Sequence, residues 1–237
     1  MSITYDPTLV MLSVFVAIIG SLTGLAFTFG YNASSMLFSP KSLTRGAIII
    51  GGSIWSMHFV AMLAVKFPVA VNYNSTETLL SLCVAVFFTG VGLYIASTKR
   101  SGLLRIPAAG VLMGSGIACM HYLGMSAIRG CGLTYDFDGV ALSVAVAIGA
   151  SAIALWFAFR QRNAFETLLG GVVLGLAISG MHYTGMYATS YYPITISFDI
   201  GAPLLSQTTL ALSVAAATLA ICSIYLFLFS SMLIREG

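Results

Sequence analysis

The chain has only three histidines, and each stands in the same short setting. The settings are Ser56-Met57-His58-Phe59-Val60-Ala61-Met62, Cys119-Met120-His121-Tyr122-Leu123-Gly124-Met125 and Gly180-Met181-His182-Tyr183-Thr184-Gly185-Met186. Each histidine therefore has one methionine at −1 (Met57, Met120, Met181) and another at +4 (Met62, Met125, Met186). Imidazole suits copper, zinc and iron, and thioether is a soft donor that favours Cu(I). On a helix the +4 residue shares the histidine's face one turn on, while −1 is turned about 100° away and serves a neighbouring helix or packs. Three His and six Met suffice for one or more copper centres. No Asp or Glu stands near them within the apolar segments, which argues against Mg²⁺, Mn²⁺ or a carboxylate-bridged di-iron site. The alternative uses of the same side chains are a hydrogen-bonded histidine cluster, haem held by one of them, or methionine as an apolar gap-filler.

What must position these residues follows from composition. Charged residues make up 7% of the 237 and hydrophobic ones 59%, with a mean hydropathy of +0.99. Soluble domains carry roughly 25% charge, so a bilayer must cover this chain. The net charge of +3 is small and scattered, which excludes nucleic acid as a partner. The charges divide the sequence into seven apolar runs, at about 8–30, 43–66, 78–98, 104–128, 139–160, 167–190 and 207–234. Each has about the 20 residues needed to cross roughly 30 Å of hydrocarbon as a helix. Runs apolar on all sides, such as 141–159, exclude the alternation of a β-barrel.

Lys41, Arg45, Lys99, Arg100, Arg105, Arg160, Arg162 and Arg235 fall on one side of these spans. Only Lys66 and Arg129 fall on the other, together with Asp6, Glu77, Asp136, Asp138 and Asp199. By the positive-inside rule the N-terminus is extracytoplasmic and the C-terminus cytoplasmic. The first span lacks a basic n-region and reads as a retained helix. The expected fold is an all-α membrane protein of seven transmembrane helices, a single domain over 1–237.

The histidines are 63 and 61 residues apart, two spans with their connections, so they fall on helices 2, 4 and 6. Three repeated helical hairpins follow, with helix 1 left over. Gly51, Gly114 and Gly175 stand seven residues before the histidines, and Ile54, Ile117 and Ile178 four before. These offsets join the histidine, the small residue at +3 and the methionine at +4 in one helical stripe. The three stripes are expected to face inward and meet. Gly110/Gly114 and Gly171/Gly175 have the spacing of small-residue packing between membrane helices. Each histidine lies seven or eight residues before its expected helix end, roughly 10–12 Å below the outer boundary.

Other residues weigh less. Cys119 precedes His121 by two positions and is a further donor candidate, although Ser56 and Gly180 occupy the matching places. Cys131 has no loop cysteine to pair with, so an outer disulfide framework is not expected. Phe59, Tyr122 and Tyr183 are placed to pack on or roof the site. Asp136, Asp138 and Asp199 read as solvated loop charges or an entry patch for cations, and Tyr187, Tyr191 and Tyr192 as an interfacial aromatic belt.

Met120-His121-Tyr122 and Met181-His182-Tyr183-Thr184, near the outer ends of alternate helices in a seven-span bundle, resemble the bacterial MHYT sensor domain. The third copy matches the four-letter motif in full; the second has Leu123 for Thr, and the first reads Met57-His58-Phe59-Val60. The resemblance covers essentially the whole chain, with motifs at 57–62, 120–125 and 181–186. It implies a sensor of the bacterial inner membrane, not an enzyme, in which the His and Met residues bind copper and, through it, a diatomic gas such as O2, CO or NO. Haem is the alternative cofactor. It also implies a cytoplasmic output partner of the cyclic-di-GMP type. The chain stops at Arg235-Glu236-Gly237, and reads as a stand-alone member or the sensory part of a longer protein. Oligomeric state stays open, with a homodimer the natural form for signalling. A copper transporter and a quinone-linked redox protein are the other functions these residues would serve.

Overall fold

The computed structural model describes residues 3–29, 39–98, 104–160, 164–194 and 204–236. Of the residues used above, Lys99, Arg100, Arg162, Asp199 and Gly237 lie outside these. The apolar runs form seven helices among the described residues: α1 (Pro7–Phe29), α2 (Pro40–Leu63), α3 (Ser75–Ser97), α4 (Arg105–Ser126), α5 (Phe137–Arg160), α6 (Ala164–Tyr187) and α7 (Gln207–Glu236). Six of them, α1 to α6, are long and apolar enough to cross a membrane, and α7 is apolar over Gln207–Ile221. The protein is therefore a helical membrane protein. A backbone in lipid must satisfy its own hydrogen bonds, and a helix does so within one segment.

The helices close into a ring in chain order, with α1 against both α2 and α6. Within the ring α2, α4 and α6 also touch one another, and α7 packs outside it on α1 and α2. Helix 1 is not left over. In sequence the repeat follows it, but in space α1 stands beside α6 as α3 stands beside α2 and α5 beside α4. Because α7 covers it from outside, α2 is 83% buried across its span, against 28% for α5.

The glycine stripe divides where the sequence reading kept it whole. A Cβ on Gly114 would lie 2.5 Å from the Cα of Ile148 in α5, and one on Gly175 2.5 Å from the Cα of Ile18 in α1. Gly51 meets Val86 of α3 in the same way, at 2.6 Å. These glycines seat the inner helices on their outer-ring neighbours. The inner helices meet further along, at the histidines.

The helices end five residues after each histidine, at Leu63, Ser126 and Tyr187, nearer than expected. The chain turns there into short strands. β1 (Thr4–Tyr5) pairs with β2 (Val65–Lys66), β3 (Asn72–Asn74) with β4 (Ile128–Arg129), and β5 (Cys131–Tyr135) with β6 (Thr189–Pro193), all antiparallel; β7 (Leu204–Leu205) adds to β3. Each pair links the exit of an inner helix to the entrance of an outer one. The backbone N–H groups of Asp6, Asn74 and Asp136 donate to the carbonyls of Ala64, Ala127 and Ala188, each at 2.8 Å. The same three side chains cap the helices that follow, accepting from the backbone N–H of Thr8, Thr76 and Gly139. Such caps satisfy amide donors that a helix start leaves unpaired. Asp136 is thus a helix cap.

Candidate metal centre

His58, His121 and His182 are wholly buried and meet at the centre of the ring. Their Nδ1 atoms form a nearly equilateral triangle with edges of 3.1, 3.2 and 3.1 Å. The rings stand like propeller blades, with interplanar angles of 89°, 80° and 89°. Equal spacing of the motif from the end of each helix places the three imidazoles in one layer. Ile54, Ile117 and Ile178, one turn back on each helix, are buried too and floor that layer with hydrocarbon. Met57, Met62, Met120, Met125, Met181 and Met186 are all buried in the same core cluster. Met186 is also a hydrogen-bond acceptor, its Sδ 3.5 Å from the Tyr191 hydroxyl. Cys119 is exposed on the far face of α4, away from the triad.

The small residue at +3 makes room for an imidazole of the neighbouring repeat. A Cβ on Gly124 would collide with Nε2 of His58, and one on Gly185 with Nε2 of His121. All three Nε2 atoms are buried without a hydrogen-bond partner.

The triangle has a chemical consequence. A neutral Nδ1 is either a donor or an acceptor. Three atoms in mutual contact cannot alternate the two roles, so at least one edge must join two donors or two acceptors. Away from water that conflict is costly. A cation at the centre removes it, since all three Nδ1 then turn lone pairs inward and carry their protons on Nε2. The point equidistant from the three nitrogens lies about 1.8 Å from each, close to the ~2.0–2.1 Å of a metal–imidazole bond. The donor set fits a transition metal.

Each histidine also begins an aromatic ladder toward the strands. His121 meets Tyr122 edge-on at 4.8 Å between centroids, and Tyr122 meets Tyr135 at 5.3 Å. His182, Tyr183 and Tyr5 repeat this at 4.9 and 6.5 Å, and His58, Phe59 and Tyr73 at 4.8 and 6.0 Å. Hydroxyl pairs of 2.7 Å pin Tyr122 to Ser143 and Tyr183 to Ser13. Phe59 lacks the hydroxyl that would reach the equivalent residue, Ser81. Tyr5, Tyr73 and Tyr135 were not singled out from the sequence. Their signal was available, because Tyr5-Asp6, Tyr73-Asn74 and Tyr135-Asp136 each precede by seven residues the buried Ser13, Ser81 and Ser143. Tyr191 belongs to the core and not to the aromatic belt, where Tyr187 and Tyr192 remain exposed.

Outside the spans, burial raises the pKa of the Cys131 thiol and of the Tyr73 phenol, the latter aided by the nearby thiol. The backbone N–H groups of Thr8 and Leu9 hold the Asp6 carboxyl below its ordinary value.

Fold and site together define a helical membrane protein built on a threefold repeat around a buried histidine triad. The profile of the MHYT family, described as a bacterial signalling protein N-terminal repeat, matches residues 1–39, 51–109, 114–171 and 175–233. The chain belongs to this family. It is 37% identical over 181 residues to the bifunctional diguanylate cyclase/cyclic di-GMP phosphodiesterase MucR of Pseudomonas aeruginosa, covering 74% of this chain and 26% of that protein. It is 40% identical over 154 residues to the cyclic di-GMP phosphodiesterase NbdA of the same organism, covering 64% and 19%. With the signaling protein YkoW of Bacillus subtilis it shares 32% identity over 184 residues, covering 75% and 23%. The chain thus spans about a quarter or less of these relatives. No solved structure matches it.

Proposed function

We propose that this chain is a single sensory domain of the bacterial inner membrane that holds copper through Nδ1 of His58, His121 and His182. On this reading it reports the arrival of a diatomic gas, O2, CO or NO, to the cytoplasm. The observation that carries it is the Nδ1 triangle, whose donor–acceptor conflict a central cation would relieve. Bound copper would supply an open coordination position for a small neutral ligand. The buried methionines, Met62, Met125 and Met186 above all, would offer soft donors beside the histidines. A gas of this kind partitions into lipid and reaches a buried layer without a polar tunnel.

The basic residues support seven spans with the strand end extracytoplasmic and the C-terminus cytoplasmic. The activities for which MucR and NbdA are named favour a cyclic-di-GMP output partner, and no catalytic role is proposed for this chain. Copper transport fits less well, because the isoleucine floor offers an ion no ligands toward the cytoplasm.

Metal analysis tests the reading. Purified protein should retain copper and, reduced under CO, show a carbonyl stretch in the infrared. The H58A/H121A/H182A variant should show neither. Equal copper in both proteins, or none in either after loading with Cu(I), would overturn the assignment.

A further inference from the structure

The three arms of the site are not equivalent. The arms at His121 and His182 end in tyrosines whose hydroxyls are fastened to Ser143 and Ser13 on the outer ring, both at 2.7 Å. The arm at His58 ends in Phe59. Ser81 sits on α3 as Ser143 sits on α5, each hydroxyl donating to the carbonyl three residues back (Thr78, Val140). No phenol reaches it from Phe59: Trp55, one turn back on α2, ties that helix to α3 by donating its ring N–H to the Thr78 carbonyl at 3.0 Å, while the Phe59 ring itself has packing without a pin.

The unpinned arm also has a distinct neighbour. Phe59 packs edge-on against Tyr73, which is wholly buried and whose hydroxyl has no hydrogen-bond partner. Tyr73 lies in β3, and β3 pairs with β7: Tyr73 opposes Leu205 and Asn74 opposes Leu204. Two residues after Leu205, α7 begins. The other arms lead elsewhere, Tyr135 into β5 paired with β6, and Tyr5 into β1 paired with β2. Among the inner helices, α2 is the one with a substantial contact on α7. Packed side chains and paired strands are the media that carry coupling between distant sites, and the segment that moves should be the one held least firmly.

We infer that the His58 arm is the transmitting arm of the site: a change at the triad passes through Phe59 and Tyr73 to β3, across to β7, and into α7. The arms at His121 and His182 serve as fixed posts. This rests on the sensory reading proposed above, and it assigns the exit of the signal to one repeat out of three. The motion is of the small kind by which packed helices shift, about 1–2 Å. Phe59 and Tyr73 act here as positioning residues, since neither offers a donor to a metal in the triangle.

Hydrogen exchange read by mass spectrometry, on the whole chain in lipid nanodiscs with and without one equivalent of Cu(I), tests this on unlabelled protein. Wild type should change exchange severalfold over 72–74 and 204–210 on loading, and not over 133–135. F59Y supplies the missing hydroxyl to Ser81; it should bind Cu(I) as wild type does yet lose the change at 204–210. F59Y/S81A removes the new pin and should recover it, a rescue that a folding defect would not produce. Y122F should leave the response at 204–210 in place. If F59Y responds like wild type, or the loaded wild type changes only outside 204–210, the transmitting arm is wrong while the copper site stands. If wild type binds no Cu(I), the sensory reading fails, and this inference with it.

Discussion

An imidazole has two nitrogens, and this bundle uses them differently. Nδ1 of each ring faces the other two, while Nε2 of His58 and His121 turns to a glycine of the next repeat. The glycine at +3 therefore belongs to the site, although it has no donor atom. Gly185→Ala would drive a methyl into the His121 ring and tilt its Nδ1 out of the triangle. Such a loss of support typically lowers metal affinity roughly 10–100-fold, and a competitive Cu(I) titration should show it while circular dichroism keeps the helical signal. His121→Ala is instructive in a different way. Two imidazoles can pair as donor and acceptor, so the apo variant loses the conflict of the trio. It should be no less resistant to heat than apo wild type by more than the cavity term of a few kcal/mol, yet retain no tight copper. Histidines, methionines and their common depth were legible in the sequence because periodicity displays them. Which nitrogen faces inward, and that Cys119 faces outward, depends on how the helices are rotated, and offsets along one chain do not specify that rotation.

At the scale of elements, short polar devices hold the helices in register. Asn74 caps α3, its Oδ1 accepting from the N–H groups of Thr76 and Glu77. Asn74→Ala should cost about 1 kcal/mol, read as a lower unfolding midpoint in detergent. Asp6 does the same for α1, through Thr8 and Leu9. Those N–H groups depress its pKa, with Lys66 at 3.6 Å adding to the effect. A depressed carboxyl contributes stability that is present above its unfolded pKa and lost as pH falls through the folded one. Protection of the Thr8 and Leu9 amides, taken relative to their intrinsic exchange rate at each pH, should therefore fall on acidification below the ordinary carboxylate range, and Asp6→Asn should abolish that change. The helices themselves were readable as apolar runs to within a few residues. The strands were not, because pieces of two to five residues are defined by a partner about 60 residues away, or about 130 for β7 on β3. Their pairing shortens the helices, and it explains why the histidines lie five residues from the helix ends and not seven or eight.

At the scale of the molecule, the threefold repeat is incomplete in sequence and complete in space. The three hairpins follow α1 along the chain, and α1 closes the ring by packing on α6 from the far end of the chain. Gly171 and Gly175 of α6 show how closely it docks, since Cβ atoms there would meet Leu22 and Ile18. Motif spacing counts repeats along the chain and is silent on ring closure, so helix 1 read as left over although its Ser13 already matched Ser81 and Ser143. What the sequence proposes at this scale is a direction, through so few charges that each weighs heavily. Lys66 is 66% exposed at the strand end, beside Asp6, and Lys41 is exposed at the start of α2, at the opposite end of the bundle. With seven spans and the basic connections inside, a membrane-impermeant maleimide should label K66C on intact cells and K41C only after permeabilisation. The opposite pattern would invert the molecule, placing the strand layer and its aromatic ladders in the cytoplasm and leaving the basic residues to face outward, against the bias that orients short loops.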